Sequence, residues 1–255
     1  MTDVTFVRTR YQYDPYNDFF RLAELSGYPV CYIDEMDIHD PSKCYVIAPR
    51  NGEWGDWSQA QARLIWWQLE WEAASDPCPP GVAEKWTSDA WHARKIGARF
   101  VPLGSHPGLN PGGAVSWQHD AIFLGYSQAW RRGNMLQNLH ERGLHVNVAG
   151  NTWGDNRHNA LLSARIMLHI HQHDNVATIA PLRWAIAAAY RMPLYAESMV
   201  DPSPFGQHHF MRGTYNQLPD GLLKARDMDV SSYGAALYEF LCIEKPFRSW
   251  VEGAL

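Results

Sequence analysis

The sequence has no excess of positive charge. Its 22 basic residues are outnumbered by 27 acidic ones, giving a net charge of −5. That balance offers no support for a basic footprint spread over the chain, although it leaves room for a local basic groove. Cysteine is scarce. Cys31, Cys44, Cys78 and Cys242 stand far apart, with no CxxC pair and no zinc spacing. Reduced thiols are expected, with Cys31 and Cys44 inside strands. No apolar run approaches the roughly 20 residues that cross a bilayer. No signal-like apolar stretch follows Met1. A soluble, cytoplasmic protein without membrane insertion is therefore expected. Internal repeats and low-complexity segments are absent too.

What is present is apolar material in quantity. Hydrophobic residues make up 46% of 255 positions, and twelve of the residues are tryptophan. This excludes global disorder and supplies a substantial core. Some tryptophans must be core, and others are available as stacking platforms for sugars or bases.

Strand-like and helix-like segments alternate along the first half. TFVRTR (5–10) reads as a strand. DPYNDFFRLAELSG (14–27) reads as a helix, with Asp14 as N-cap, Pro15 in the first turn and Gly27 just past the end. PVCYID (29–34), CYVIAP (44–49) and RLIWWQLEW (63–71) are short apolar runs suited to a buried parallel sheet. A further element runs through WTSDAWHARKIG, and ARFVPLG (98–104) closes the half. The Gly- and Pro-rich stretch 105–120 is the linker candidate.

Alternation then restarts. AIFLG (121–125), LHVNVAG (144–150), IMLHIH (166–171) and LYAES (194–198) read as strands, the last being the final one. Segments 131–143, 178–191 and 233–243 read as helices, the first stopped by Gly143. Two βαβ-rich halves predict an α/β fold of two Rossmann-like domains, 1–104 and 121–255, facing across a cleft, with the C-terminal helix able to return to the first domain. Ligands of such sheets bind beyond the carboxyl ends of the strands, so the residues just after each strand are the ones to weigh.

Four stretches, AIFLGYSQAWRRGNMLQNLHERG, LHVNVAGNTWG, IMLHIHQHDN and APLRWAIAAAYRMPLYAES, taken in order, resemble the donor domain of GT-B glycosyltransferases. The similarity is to the compact group that includes CgeB-like and phage-encoded members. RLIWWQLEW and ARFVPLGSHPG add to it in the first half. The resemblance implies transfer of a sugar from a nucleoside diphosphate sugar, a UDP-sugar first, to an acceptor hydroxyl, without a metal or other cofactor. The acceptor stays open between a hydroxylated base in phage DNA, a glycan, a protein and a small metabolite. One departure stands out. The helix that carries a glutamate in many retaining members has Ile186 there, and the usual glycine near Arg191 is absent. Inversion is therefore expected.

Each candidate residue carries two readings. Arg183, with Pro181 and Leu182 at a helix N-terminus, suits a diphosphate, since unpaired N–H groups, the helix dipole and a guanidinium converge there; otherwise it is an exposed ion-pair residue. Arg131 and Arg132 either face the same diphosphate or are solvated helix charge. Gly125 and Gly150 either let backbone approach the donor or simply end strands. Tyr126 follows Gly125 on the donor side. Trp153 and Asn151 either hold the donor base or pack in a loop. His169, His171 and His173 alternate as on one strand face, so they are either a metal cluster in a hydrolase or a strand end where His171 and His173 touch the donor.

Glu70 is the expected general base, raised by Trp67 and Trp71; its alternative is a carboxylate that orients the acceptor or pairs with an arginine. Asp14, Asp34 and Glu53 are its substitutes. Arg8, Arg10, Tyr11, Glu53 and Trp71 are expected on the acceptor side. A non-catalytic nucleotide-sugar-binding module remains a reading of the whole chain.

Overall fold

Continuous apolar runs such as CYVI and RLIWWQ suit strands covered on both faces, and the computed structural model places them so: β3 (Cys44–Ile47) is buried throughout and β4 (Arg63–Gln68) nearly so. The structure describes residues 3–10, 16–48, 56–69, 78–174 and 179–255. The chain divides into two units. The first comprises Met1–Leu109, Ala180–Leu182 and Lys245–Leu255, and the second Asn110–Ile179 and Arg183–Glu244.

In the first unit, β1 (Val4–Arg8), β2 (Val30–Tyr32), β3, β4, β5 (Glu84–Thr87) and β6 (Arg99–Phe100) form a parallel sheet in the order β2-β1-β3-β4-β5-β6. Helix α1 (Asn17–Leu25) buries Phe19, Phe20, Leu22 and Ala23. Its N-cap is Tyr16, and the predicted cap Asp14 lies outside the described residues. Helix α2 (Ala90–Ile96) starts where the Asp89 carboxylate accepts the His92 N–H at 2.8 Å, and it stops at Gly97, which takes the left-handed conformation with φ 66°.

The second unit carries β7 (His119–Phe123), α3 (Trp130–Glu141), β8 (Val146–Val148), α4 (Gly154–Leu162), β9 (Ala164–His169), α5 (Pro181–Ala189) from Arg183 onward, β10 (Leu194–Glu197), β11 (Met211–Gly213), α6 (Leu218–Asp227) and α7 (Ser231–Tyr238). A π-helical turn, Glu239–Glu244, continues α7. The sheet is parallel, in the order β11-β10-β9-β7-β8. Its core joins Ala121, Phe123, Leu139, Ile166, Leu168 and Leu222. The final helix, α8 (Phe247–Ala254), belongs to the first unit, where the Phe247 ring stacks on Trp67 with centroids 5.8 Å apart.

Several boundaries differ from expectation. LYAES is not the last strand, because β11 follows it. The predicted linker already contains the start of β7. β9 ends at His169, two residues early, since the chain leaves the ladder at Ile170. Cys44 is buried in β3, whereas Cys31 is only partly buried in β2. Among the described residues, no helix is long and apolar enough to cross a membrane.

Candidate functional site

The second sheet has its topological switch point at β7. From β7 the chain runs outward to β8, then crosses back to lay β9 on the other side. Residues beyond the carboxyl ends of β7 and β9 therefore flank the crevice where such sheets take ligands. Gly125 follows β7 and Gly150 follows β8. A Cβ at Gly150 would run into the Gly125 carbonyl oxygen, so the two loops touch backbone to backbone. A Cβ at Gly125 would sit 2.7 Å from the Arg183 guanidinium. At Gly150 the obstacle is backbone, so that position demands glycine, whereas at Gly125 the nearest atoms are side-chain ends.

Arg183 lies in the first turn of α5. Its Nη1 is 2.6 Å from His169 Nδ1, and its guanidinium lies 5.6 Å from the Phe123 ring centre. His169 Nε2 is 3.3 Å from His171 Nδ1, and His171 Nε2 is 3.2 Å from the Ser198 carbonyl oxygen. Burial, then the neighbouring Arg183, hold His169 well below the ordinary histidine range. Burial also depresses His171, although Glu197 opposes it.

Arg131 and Arg132 are buried on α3, so neither is solvated helix charge. Arg131 Nε donates to Asp174 at 2.6 Å, and Nη1 donates to Glu197 at 2.6 Å and to the His171 carbonyl at 3.2 Å. Its Nη2 donates to the other Glu197 oxygen, which completes a two-pronged pair. Arg132 donates to the Ile170 carbonyl at 3.1 Å and to Gln172 at 3.0 Å. Both arginines thus hold the chain that leaves β9. Glu197, Asp174 and Ser198 were missed from sequence. Glu197 had a signal: it is a carboxylate at a strand's carboxyl end.

Other candidates spread along the edge. Tyr126 is exposed, with its hydroxyl 2.6 Å from Gln128 Oε1. Asn151 is exposed, and Trp153 is half-buried before α4 with the Arg157 guanidinium 4.9 Å from its ring. Pro181 is buried and Leu182 half-buried at the start of α5. His173 is exposed and lies beyond the strand, so the three histidines do not share a strand face. A cation on His169 Nδ1 would meet the Arg183 guanidinium. Among the described residues, no group of three or more His, Cys, Asp or Glu side chains is placed to hold a metal ion.

In the first unit, Arg8 donates to Asn17 at 2.8 Å and lies over Phe20 and Tyr32. Arg10 is exposed and pairs with Asp34 at 2.9 Å and Glu35 at 3.2 Å. That pairing holds the Asp34 carboxyl below its usual range. Trp67 is fully buried, its indole N–H donating to Ser88 at 2.9 Å. Glu70, Asp14, Tyr11, Glu53 and Trp71 lie outside the described residues.

No family model matches this sequence, and no curated protein does. Solved structures do match the fold. AviGT4, a glycosyltransferase involved in avilamycin A biosynthesis, aligns with a TM-score of 0.65 at 11% identity, over 98% of this chain and 95% of that one. The T4 phage β-glucosyltransferase in complex with UDP and Mn2+ aligns with a TM-score of 0.58 at 11% identity, over 98% of both chains. The fold is GT-B. At such identities the likeness speaks for architecture alone. Within it, the second unit supplies the Rossmann-like sheet whose switch point carries Arg183, His169 and the two glycines.

Proposed function

We propose that this protein is a glycosyltransferase that moves a sugar from a nucleoside diphosphate sugar to an acceptor hydroxyl. The observation that supports this best is the Arg183 guanidinium, held against His169 beside the close-packed Gly125 and Gly150 loops at the switch point. Bare backbone and a fixed cation suit a diphosphate. UDP is the nucleotide to test first, because the T4 neighbour was solved with it.

In the proposed reaction the acceptor oxygen attacks the anomeric carbon, and the bond from that carbon to the diphosphate oxygen breaks. Arg183 and the start of α5 meet the charge developing on the diphosphate. The acceptor proton passes to a carboxylate, for which Glu70, two residues after the end of β4 in sequence, is the choice. Ile186 is buried in α5, at the slot where many retaining members place a glutamate, and this favours inversion. The cationic diphosphate grip suits transfer that does not depend on a divalent metal. A hydroxylated DNA base is the acceptor to test first, since the T4 neighbour is a DNA-modifying enzyme that aligns over nearly its whole length.

Calorimetry with UDP, GDP, their sugars and uridine tests the reading. Replacing Arg183 by Ala is expected to weaken diphosphate binding by about 1.5–3 kcal/mol, the worth of a charge-assisted bond, and to leave uridine unaffected. Equal diphosphate affinity in parent and variant would remove Arg183 from the site. Failure of every nucleoside diphosphate and its sugar to bind would overturn the donor reading.

A further inference from the structure

We infer that His169 and His171 are positioning residues: a one-way chain of hydrogen bonds from the Arg183 guanidinium to the Ser198 carbonyl fixes where that guanidinium sits. The direction follows from the two ends. A guanidinium only donates, so His169 Nδ1, 2.6 Å from Arg183 Nη1, accepts. The His169 ring proton is then on Nε2, which donates across 3.3 Å to His171 Nδ1. His171 in turn carries its proton on Nε2 and donates across 3.2 Å to the Ser198 carbonyl oxygen, which only accepts. Each tautomer is dictated by its neighbour, and reversing any one breaks two contacts.

The far end of the chain is fastened as well. The His171 backbone N–H donates to Glu197 at 3.0 Å, and the His171 carbonyl accepts from Arg131, itself paired with Glu197. The groups facing His169 are Arg183 from α5, Arg132 from α3 and His171; those facing His171 are Glu197 from β10, Arg131 and Arg132. Both residues are only 2% exposed, and burial lowers both rings, with Arg183 adding to it at His169 and Glu197 opposing it at His171; the chain requires both to be neutral. Gly125 and the Phe123 ring also lie close to the same guanidinium. A long side chain is thereby ordered before any ligand arrives, which lowers the entropic cost of gripping an anion. That the anion is a diphosphate rests on the glycosyltransferase reading; the chain itself does not.

Two measurements test it. Nitrogen-15 spectra of the histidine rings in the full chain are expected to show both rings neutral at pH 7, each with its proton on Nε2. A proton on Nδ1 of either ring, or an imidazolium at His169, overturns the chain. In calorimetry, His169→Phe is expected to bind UDP about ten- to a hundredfold more weakly than the parent, the loss of one bond to a charged group, with uridine unchanged. His169→Asn offers an acceptor oxygen near the Nδ1 position and is expected to restore UDP affinity to within a few-fold of the parent. Parent-like UDP affinity in His169→Phe, or a loss shared equally by uridine, overturns the positioning role. If the parent binds no nucleoside diphosphate, the glycosyltransferase reading falls, and the ring spectra alone decide the chain.

Discussion

The two sheets share a topology of parallel strands yet are built from different materials. The first unit is aromatic: Trp67 packs against Phe6, Phe19, Trp86 and Phe247 with ring centres 5.3–6.5 Å apart. The charges that follow β1 and β2 in the chain, Arg10 with Asp34 and Glu35, stand in solvent. In the second unit, α5 contributes Ala185, Ala187 and Ala188 to the interior, and the charge is buried at the sheet's carboxyl edge instead, in Arg131, Arg132 and Glu197. Burying charge is costly, and a hydrophobic trio of the same size would often be as stable or more so. The second unit retains the charges where the chain leaving β9 must be held in one geometry. The first unit's core is built on packed rings, and the second unit sets a buried group of ion-paired side chains beside its sheet.

Glu197→Gln is the sharpest way to break that contrast. Arg131 would keep its exposed partner Asp174 but lose its buried one. A buried charge left uncompensated costs about 3–5 kcal/mol. Urea unfolding should show the loss as a lower midpoint. A variant as stable as the parent would mean that the pair is relaxed or hydrated, and that the second unit is no more charge-dependent than the first.

Much of this architecture is legible in sequence because buried parallel strands are continuous apolar runs, as in β3, β4 and β9. Helices and strands without that signature escaped. Helix α4, GDNRHNALL, buries only Leu161; α6 carries Pro219 and Gly221; β11 is three residues long. The site was legible as a set of residues but not as a set of contacts. Arg183 and His169 are 14 positions apart, and only the crossover from β9 to α5 brings them together. Arg131 and Glu197 are 66 apart, so nothing local marked Arg131 as buried. The expectation that three histidines share a face failed because it assumed a strand continuing past His169.

A smaller effect should appear with acid. His209 is buried, accepts the Gly206 N–H at 2.9 Å on Nδ1, and stacks on Phe240. Burial, then His208, lower it from 6.5 to about 4. The unfolded chain therefore binds more protons between those values, so this contribution is complete above 6.5 and is lost as pH falls toward 4. His92, His169 and His171 are depressed too and act in the same direction, so the difference between parent and variant is what matters. His209→Asn, which keeps an acceptor for Gly206, should lose less stability than the parent across that window, by on the order of 1–3 kcal/mol. Parallel pH curves for the two proteins would remove His209 from the acid response.

The smallest effect belongs to the first unit's charges. Arg10 touches Asp34 and Glu35 and lies 4.2 Å from the Tyr32 ring centre, which on a drawing makes it as well connected as Arg131. The difference is water. The Arg10 and Asp34 side chains are 56% and 57% exposed, against 9% and 8% for Arg131 and Glu197. An ion pair in solvent gains little, since each charge was already well hydrated and salt screens what remains. Arg10→Gln is therefore expected to leave the urea midpoint where it is, and raising the ionic strength should not separate variant from parent. The same variant also tests the acceptor role assigned to Arg10 in the sequence. If acceptor KM rises while the midpoint stays fixed, Arg10 acts on the ligand and contributes nothing to the fold. If the midpoint falls as far as in Glu197→Gln, exposure is not what divides the two units, and the contrast between solvent-exposed and buried charge loses its physical basis.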